Sequence, residues 1–378
     1  MTDITTNVPR RMATWKKVLF IGLSVCLGLG VGLILLEISL RIILGPVSHE
    51  ITNADPILHH FTGNNPGINS FGFYDKEYPQ EKGTDTFRIM ILGDSLVRRG
   101  DGGVNFVDVL ENRFARESSG SRTVEVWNCG IDSYSPALEY LLIRHRLADL
   151  QPDLVVSCVF MGNDFNDDAV YEAKMEYDES GKPIRCVPDK AVKDSTLVPG
   201  QIPLPFKNYL RTHSRLYREL STVYNFFLHV VGLRRGEWGK AKIEVDRPAP
   251  IGTLTLNITD NHLNLMLRNI RLTKDLLAQQ GCRFLVVLIP IDIQVDAEAI
   301  RDGERSAFRP EDIDVANQNE TRLKAALEQE QIEVLDLLPQ LIERKSGRLY
   351  IIGSHFSALG HQTVAEILFP ELTKRTIE

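Results

Sequence analysis

The sequence predicts an α/β domain built on a doubly wound, flavodoxin-like parallel sheet of five strands, preceded by one membrane-spanning helix. Three observations carry this reading. Five short runs rich in Val, Ile, Leu and Phe, at residues 87–92, 123–127, 154–160, 283–289 and 333–335, are apolar enough to be strands buried on both faces. Stretches with helical spacing lie between them, and strands alternating with helices mark a parallel sheet covered on both sides. Residues 18–36 carry no charge and are almost wholly apolar. At about 1.5 Å per residue, such a helix spans roughly 30 Å of hydrocarbon.

The apolar run comes first along the chain. Trp15, Lys16 and Lys17 flank it on one side, Glu37 and Arg41 on the other. Arg10, Arg11, Lys16 and Lys17 precede it, whereas Arg41 is the only Lys or Arg between it and Lys76. The positive-inside rule then places 1–17 in the cytoplasm, 18–40 as a single-pass signal anchor in the cell (inner) membrane, and the main domain in the periplasm or outside the cell. A cleaved signal peptide is the competing reading, but the run is long for one and no small-x-small site follows. Gly28 and Gly32 form a GxxxG pair that could seat a homodimer or simply be membrane filler.

Residues 41–86 are rich in Pro, Gly, Asn and His and read as a linker with an irregular lead-in. From 87 to 378 the chain reads as one domain. Phe106, Val109, Leu110 and Phe114 share a helical face near 105–117; Leu138, Leu141, Leu142 and His145 do so near 136–149. Leu263, Met266, Leu267 and Ile270 do so near 261–280, with Asp260 as N-cap and Gly281 as stop. The alternation lapses at about 167–260, where a hairpin-like stretch at 176–182 precedes Pro-rich turns and an aromatic helix (Tyr209, Tyr217, Tyr224, Phe226, Phe227). This is expected to be an insertion over the sheet's carboxyl edge, a lid or a small separate domain.

Composition narrows the function. The chain is 43% hydrophobic and 25% charged with net charge −7, so it lacks the basic footprint of a nucleic-acid binder. Cys129, Cys158 and Cys282 fall in or beside strands as small buried hydrophobes, Cys26 lies in the apolar run, and Cys186 sits in a polar loop. No Cys or His spacing suggests a metal site, and neither metal nor cofactor is expected.

Four short elements carry chemistry. Gly93-Asp94-Ser95-Leu96 follows the first strand: a glycine permits a sharp turn, and a serine stands at the strand's carboxyl end, where open α/β sheets bind ligands. Asp94-Ser95 also suits a helix cap, so the string alone leaves both roles open. Gly130 follows the second strand and allows close approach of a backbone N–H to a ligand, or is an ordinary turn. Asn163, in Gly162-Asn163-Asp164 after the third strand, offers a side-chain amide, although turn chemistry explains the triplet as well. His355, just before a C-terminal helix, could be a general base or a structural histidine.

Taken in order, these elements resemble the four blocks of the SGNH/GDSL hydrolase superfamily. Asn69-Ser-Phe-Gly72, Gln151-Pro-Asp-Leu154 and Leu359-Gly-His361 resemble its bacterial membrane-anchored branch. The resemblance implies the SGNH hydrolase fold, with Ser95 as nucleophile, His355 as base, and Ser95, Gly130 and Asn163 as the oxyanion hole, Asp94 supporting. It implies an esterase or deacetylase working through an acyl-enzyme on an acylated glycan, lipid or small ester. An O-acyltransferase of envelope glycans would use the same site.

The sequence departs from the family at one place. An Asp two or three residues before the histidine orients the imidazole in other members; here Ile352 and Gly353 stand there. A backbone carbonyl could hold His355 in a Ser-His dyad, a carboxylate from elsewhere such as the insertion could substitute, or the domain binds acyl-glycan with activity weakened. Arg98 and Arg99 could meet an anionic substrate, but solvated surface charge explains them more simply. Asp164, Asp167 and Asp168 read as helix-start acidity, and His361 as a packing or capping residue.

Overall fold

The computed structural model describes residues 14–44, 52–62, 67–117, 122–188, 253–298, 308–351 and 354–377, together with Ser214, Leu216, Tyr217 and Leu220. By packing, the chain divides into two units: 1–49 with 193–235, and 50–192 with 236–378.

In the first unit, α1 (Thr14–Leu44) is a continuous helix of 31 residues. Its segment Leu19–Ile42 is long and apolar enough to cross a membrane, by length and composition. Phe20, Leu27 and Ile42 are exposed along it, and a side chain at Gly28 or Gly32 would meet nothing within 4 Å. Glu37 pairs with Arg41 one turn on, and accepts from the Ser214 hydroxyl at 2.9 Å and the Leu216 N–H at 2.8 Å. The rest of the aromatic stretch near 209–227, and any lid it forms, lies outside the described residues.

The second unit begins with an antiparallel pair, β1 (Thr52–Asp55) and β2 (His59–Thr62). The lead-in is therefore not irregular throughout. Its Leu58, Phe61, Phe73 and Tyr78 are buried, and this apolar content orders a segment whose Pro and Gly suggest only turns.

There follow β3 (Thr86–Leu92), α2 (Ser95–Arg98), α3 (Phe106–Glu117), β4 (Thr123–Asn128), α4 (Pro136–Leu142), β5 (Leu154–Phe160), α5 (Asp164–Glu172), β6 (Met175–Tyr177) and β7 (Pro183–Cys186). Then come α6 (Asp260–Ala278), β8 (Arg283–Ile289), α7 (Asp292–Val295), α8 (Pro310–Gln329), β9 (Val334–Asp336), α9 (Leu338–Glu343) and α10 (Ala358–Ile377). The five-stranded sheet runs in the order β4-β3-β5-β8-β9, every pair parallel. Renumbered within the sheet this is 2-1-3-4-5, the flavodoxin-like doubly wound order, with its switch point between β3 and β5.

Side chains alternate across the central strands as period-two geometry requires. Ile89, Ile91, Val156, Leu285 and Val287 join a core with α3 and α10, while Met90, Leu92 and Val155 join one with α4. Ile91 is 0% exposed, and truncation of such a side chain to Ala costs about 2–5 kcal/mol. Arg88 interrupts the apolar run of β3 yet is 0% exposed. It bonds Glu125 at 2.7 Å and the Leu150 and Pro79 carbonyls at 2.6 and 3.0 Å, which satisfies its buried charge.

Three local expectations change. The helix near 136–149 stays α only to Leu142; a π turn (Ile143–Leu147) and a 3-10 turn (Ala148–Leu150) follow, ending at Gln151 in the left-handed region. Thr259, not Asp260, caps α6, because its hydroxyl accepts the His262 N–H. Cys186 is not in a polar loop but buried at the end of β7, its N–H bonded to the Ile57 carbonyl. The hairpin expected at 176–182 is present as β6–β7, and Gly281, at φ +70, ends α6.

Candidate active site

β3 delivers Ser95. Its backbone turns at Gly93, where a Cβ would stand 2.4 Å from Val97 and 3.1 Å from the Cys158 carbonyl, so only glycine permits the close approach. Asp94 then takes the cap: its Oδ1 accepts the Leu96 N–H at 2.8 Å. That frees Ser95 for another role. The cap reading of Asp94-Ser95 therefore falls to Asp94.

Ser95 Oγ lies 2.8 Å from Nε2 of His355, across 260 positions of sequence. Both residues are half-buried. With Nε2 unprotonated the serine hydroxyl donates to it, which is the contact a general base needs. His355 stands in a small antiparallel turn. Tyr350 pairs with Phe356, the Ile351 N–H donates to the His355 carbonyl at 2.8 Å, and the Ser357 N–H donates to the Leu349 carbonyl at 2.9 Å. Positions 352 and 353 lie outside the described residues. Next to them Ser354 is buried with φ +61, a strained conformation for a residue bearing a Cβ.

Gly130 is brought against the turn that carries Ser95. The Cys129 N–H donates to the Ile91 carbonyl at 2.9 Å and the Ile131 N–H to the Gly93 carbonyl at 3.0 Å, so this loop extends the sheet pairing past β4. A Cβ on Gly130 would lie 2.6 Å from the Arg98 nitrogen and 2.8 Å from Val97. The Gly130 N–H itself donates to Asn128 Oδ1 at 3.1 Å. Asn163 precedes α5, and its amide donates to Asp167 at 2.6 Å; the same nitrogen carries a second hydrogen. Ser95 and Asn163 therefore flank the β3–β5 switch point, the place where such sheets bind ligands.

The charged neighbours differ from expectation. Arg98 is not solvated surface: it is 8% exposed and meets Asp132 through two bonds of 2.7 Å, while Arg99 adds contacts of 3.2 and 2.8 Å to the same carboxylate. Burial works against the Asp132 anion, but the Arg99 and Arg98 guanidiniums outweigh it and hold the carboxyl below its ordinary range. These arginines brace the Gly130 loop. Asp164, Asp167 and Asp168 start α5 but are all 0% exposed, so they are buried acceptors more than dipole partners. Asp164 accepts the Phe160 N–H and Asp168 the Ala137 N–H and Asn269 amide. Burial raises Asp94, Asp164, Asp168 and Glu139, the last up to about 8. Among the described residues no cluster of His, Cys, Asp and Glu could hold a metal ion.

Solved structures similar to this chain include the acetyl xylan esterase AlAXEase, at 12% identity over 75% of this chain and 99% of that one, with a TM-score of 0.41. A lipase/acylhydrolase from Enterococcus faecalis aligns at 12% identity over 76% and 96%, TM-score 0.39. A GDSL-like lipase from Bacteroides thetaiotaomicron aligns at 10% over 79% and 92%, TM-score 0.37. No family model and no curated protein sequence matches the chain.

The sequence reading did not single out Asp101 and Asp132. Asp101 stands in Asp-Gly-Gly six residues after Ser95, and its Oδ2 accepts the Ala358 N–H at 2.9 Å. The Gly102-Gly103 pair that follows it is a known signal for a two-residue hairpin turn, and would have pointed to it.

Proposed function

We propose that the chain is a serine esterase or deacetylase of the SGNH/GDSL type, working through an acyl-enzyme on Ser95 and anchored to the membrane by α1. The 2.8 Å contact between Ser95 Oγ and His355 Nε2 carries the reading. As Oγ attacks an ester carbonyl, His355 takes its proton and then gives it to the departing alkoxide. Water, deprotonated by the same nitrogen, attacks the acyl-Ser95 ester; the Oγ–acyl bond breaks, His355 returns the proton to Ser95 Oγ, and the acid leaves. The developing oxyanion is met by the Ser95 N–H and the second hydrogen of the Asn163 amide; the Gly130 N–H joins them only by leaving Asn128 Oδ1.

The placement of positive charge before the apolar run of α1 supports a cytoplasmic N-terminus and a periplasmic or extracellular domain, which makes acylated envelope glycans or lipids the accessible substrates. A sugar hydroxyl in the place of water would make the same site an O-acyltransferase. The rival reading, an acyl-glycan-binding module, rests on Ile352 and Gly353 at the positions of the family's aspartate.

Turnover of 4-nitrophenyl acetate by the purified protein, compared with Ser95→Ala and His355→Ala, tests the proposal. Each substitution is expected to lower kcat by about 10³-fold or more, as removal of triad members does elsewhere. Equal rates for all three proteins would leave the binding-module reading standing.

A further inference from the structure

Six residues past the nucleophile the chain makes a tight turn that contacts the segment carrying the base. Asp101 and Val104 exchange both backbone hydrogen bonds, at 3.0 and 2.9 Å, across Gly102 and Gly103, whose φ values of +57 and +81 suit a two-glycine hairpin turn. The turn presents the Asp101 carboxylate to the first N–H of α10, that of Ala358, three residues after His355. A negative charge at a helix N-terminus is stabilised there. One turn into α10, His361 closes a second link: it is 1% exposed, its Nδ1 accepts the Phe106 N–H at 3.3 Å, and its ring stacks on Phe106. Gly360 lets the helix start fit, since a Cβ there would overlap the Leu349 carbonyl.

We propose that Asp101 and His361 are positioning residues, which lock the segment carrying His355 in register with the turn carrying Ser95. The inference rests on the Ser95–His355 reading. The two links join chain positions more than 250 apart, on either side of a 2.8 Å contact that tolerates little error. A misplacement of about 1 Å at a reacting pair costs on the order of 10²-fold in rate. Neither residue touches the reacting atoms in this arrangement; both act through His355.

The test is steady-state hydrolysis of 4-nitrophenyl acetate by the full chain. Asp101→Ala is expected to lower kcat by about 10- to 100-fold with KM unchanged. Asp101→Asn keeps an oxygen to accept from Ala358 and is expected to restore most of the rate. His361→Gln, which also keeps an acceptor, is expected to fall between them, and melting curves verify that each variant is folded. A folded Asp101→Ala protein with wild-type kcat overturns the clamp while leaving the Ser95 reading intact. If Asp101→Ala does not fold, an Asp101→Asn kcat as low as that of His355→Ala overturns it instead. A wild-type chain with no Ser95-dependent turnover overturns the underlying reading, and the clamp with it.

Discussion

At the scale of the residue, the site depends on a few positions where no other side chain fits. Gly130 is the clearest. Its missing Cβ leaves room for the Arg98 nitrogen at 2.6 Å, so Gly130→Ala must push apart the loop and the turn that carries Ser95. The expected result is a loss of about 10²-fold in kcat and about 1–3 kcal/mol of stability, checked by esterase assay and urea unfolding. The placement of Ser95, Gly130 and Asn163 after strands, and of His355 before a helix, was legible because those strands and that helix are recognisable in the sequence. Arg98 was not, because its burial depends on Asp132, 34 positions away, and no local pattern announces the pairing.

Buried acids add a pH dependence at the same scale. Burial raises Glu139 from 4.5 to about 8 while its carboxyl accepts from the Ser157 hydroxyl. Between these values the folded state holds a proton that the unfolded state has released. Stability from this group is full below about 4.5 and is lost as pH rises through about 8. Glu139→Gln is therefore expected to melt higher than wild type at pH 9 relative to the same comparison at pH 5. Parallel melting curves at the two pH values check this; an unchanged difference would show that Glu139 is ionised in the fold.

At the scale of the element, His361 shows the opposite sign. Burial pushes its imidazole from 6.5 down to about 4, and the neutral ring is what accepts the Phe106 N–H. Here the unfolded state binds the proton first, so this stability is full above about 6.5 and falls as pH drops toward 4. The link between α3 and α10 is expected to loosen in that window, visible as faster exchange of the Phe106 amide at pH 4.5 than at pH 7 after correction for intrinsic rate. At this scale the central strands were legible because their apolar runs match β5 and β8 residue for residue. The break after Leu142 was not, since Ile143 and Leu147 continue an apolar spacing that a π turn serves as well as an α-helix. The β1–β2 pair was missed because its strands are 4 residues each and mostly polar, ordered by the apolar side chains beyond them.

At the scale of the whole molecule, the parallel sheet collects residues far apart in sequence at one edge, and α1 supplies an apolar segment of membrane-spanning length. The doubly wound parallel sheet was legible because strands alternate with helices along the chain, and such helices cover a parallel sheet on both faces. The grouping of 193–235 with the N-terminal segment was not, because nothing in the pattern of either stretch names the other as its neighbour. The orientation inferred from charge predicts that alkaline phosphatase fused after Glu378 is active in a bacterial host, and a cytoplasm-restricted reporter at the same place silent.

The most direct test of the central claim is covalent capture of the nucleophile. Purified full-length chain treated with a fluorophosphonate and digested is expected to carry the phosphonyl adduct on Ser95, with labelling abolished in Ser95→Ala and slowed at least about 10²-fold in His355→Ala. No adduct on Ser95, in protein shown to be folded, would contradict the account.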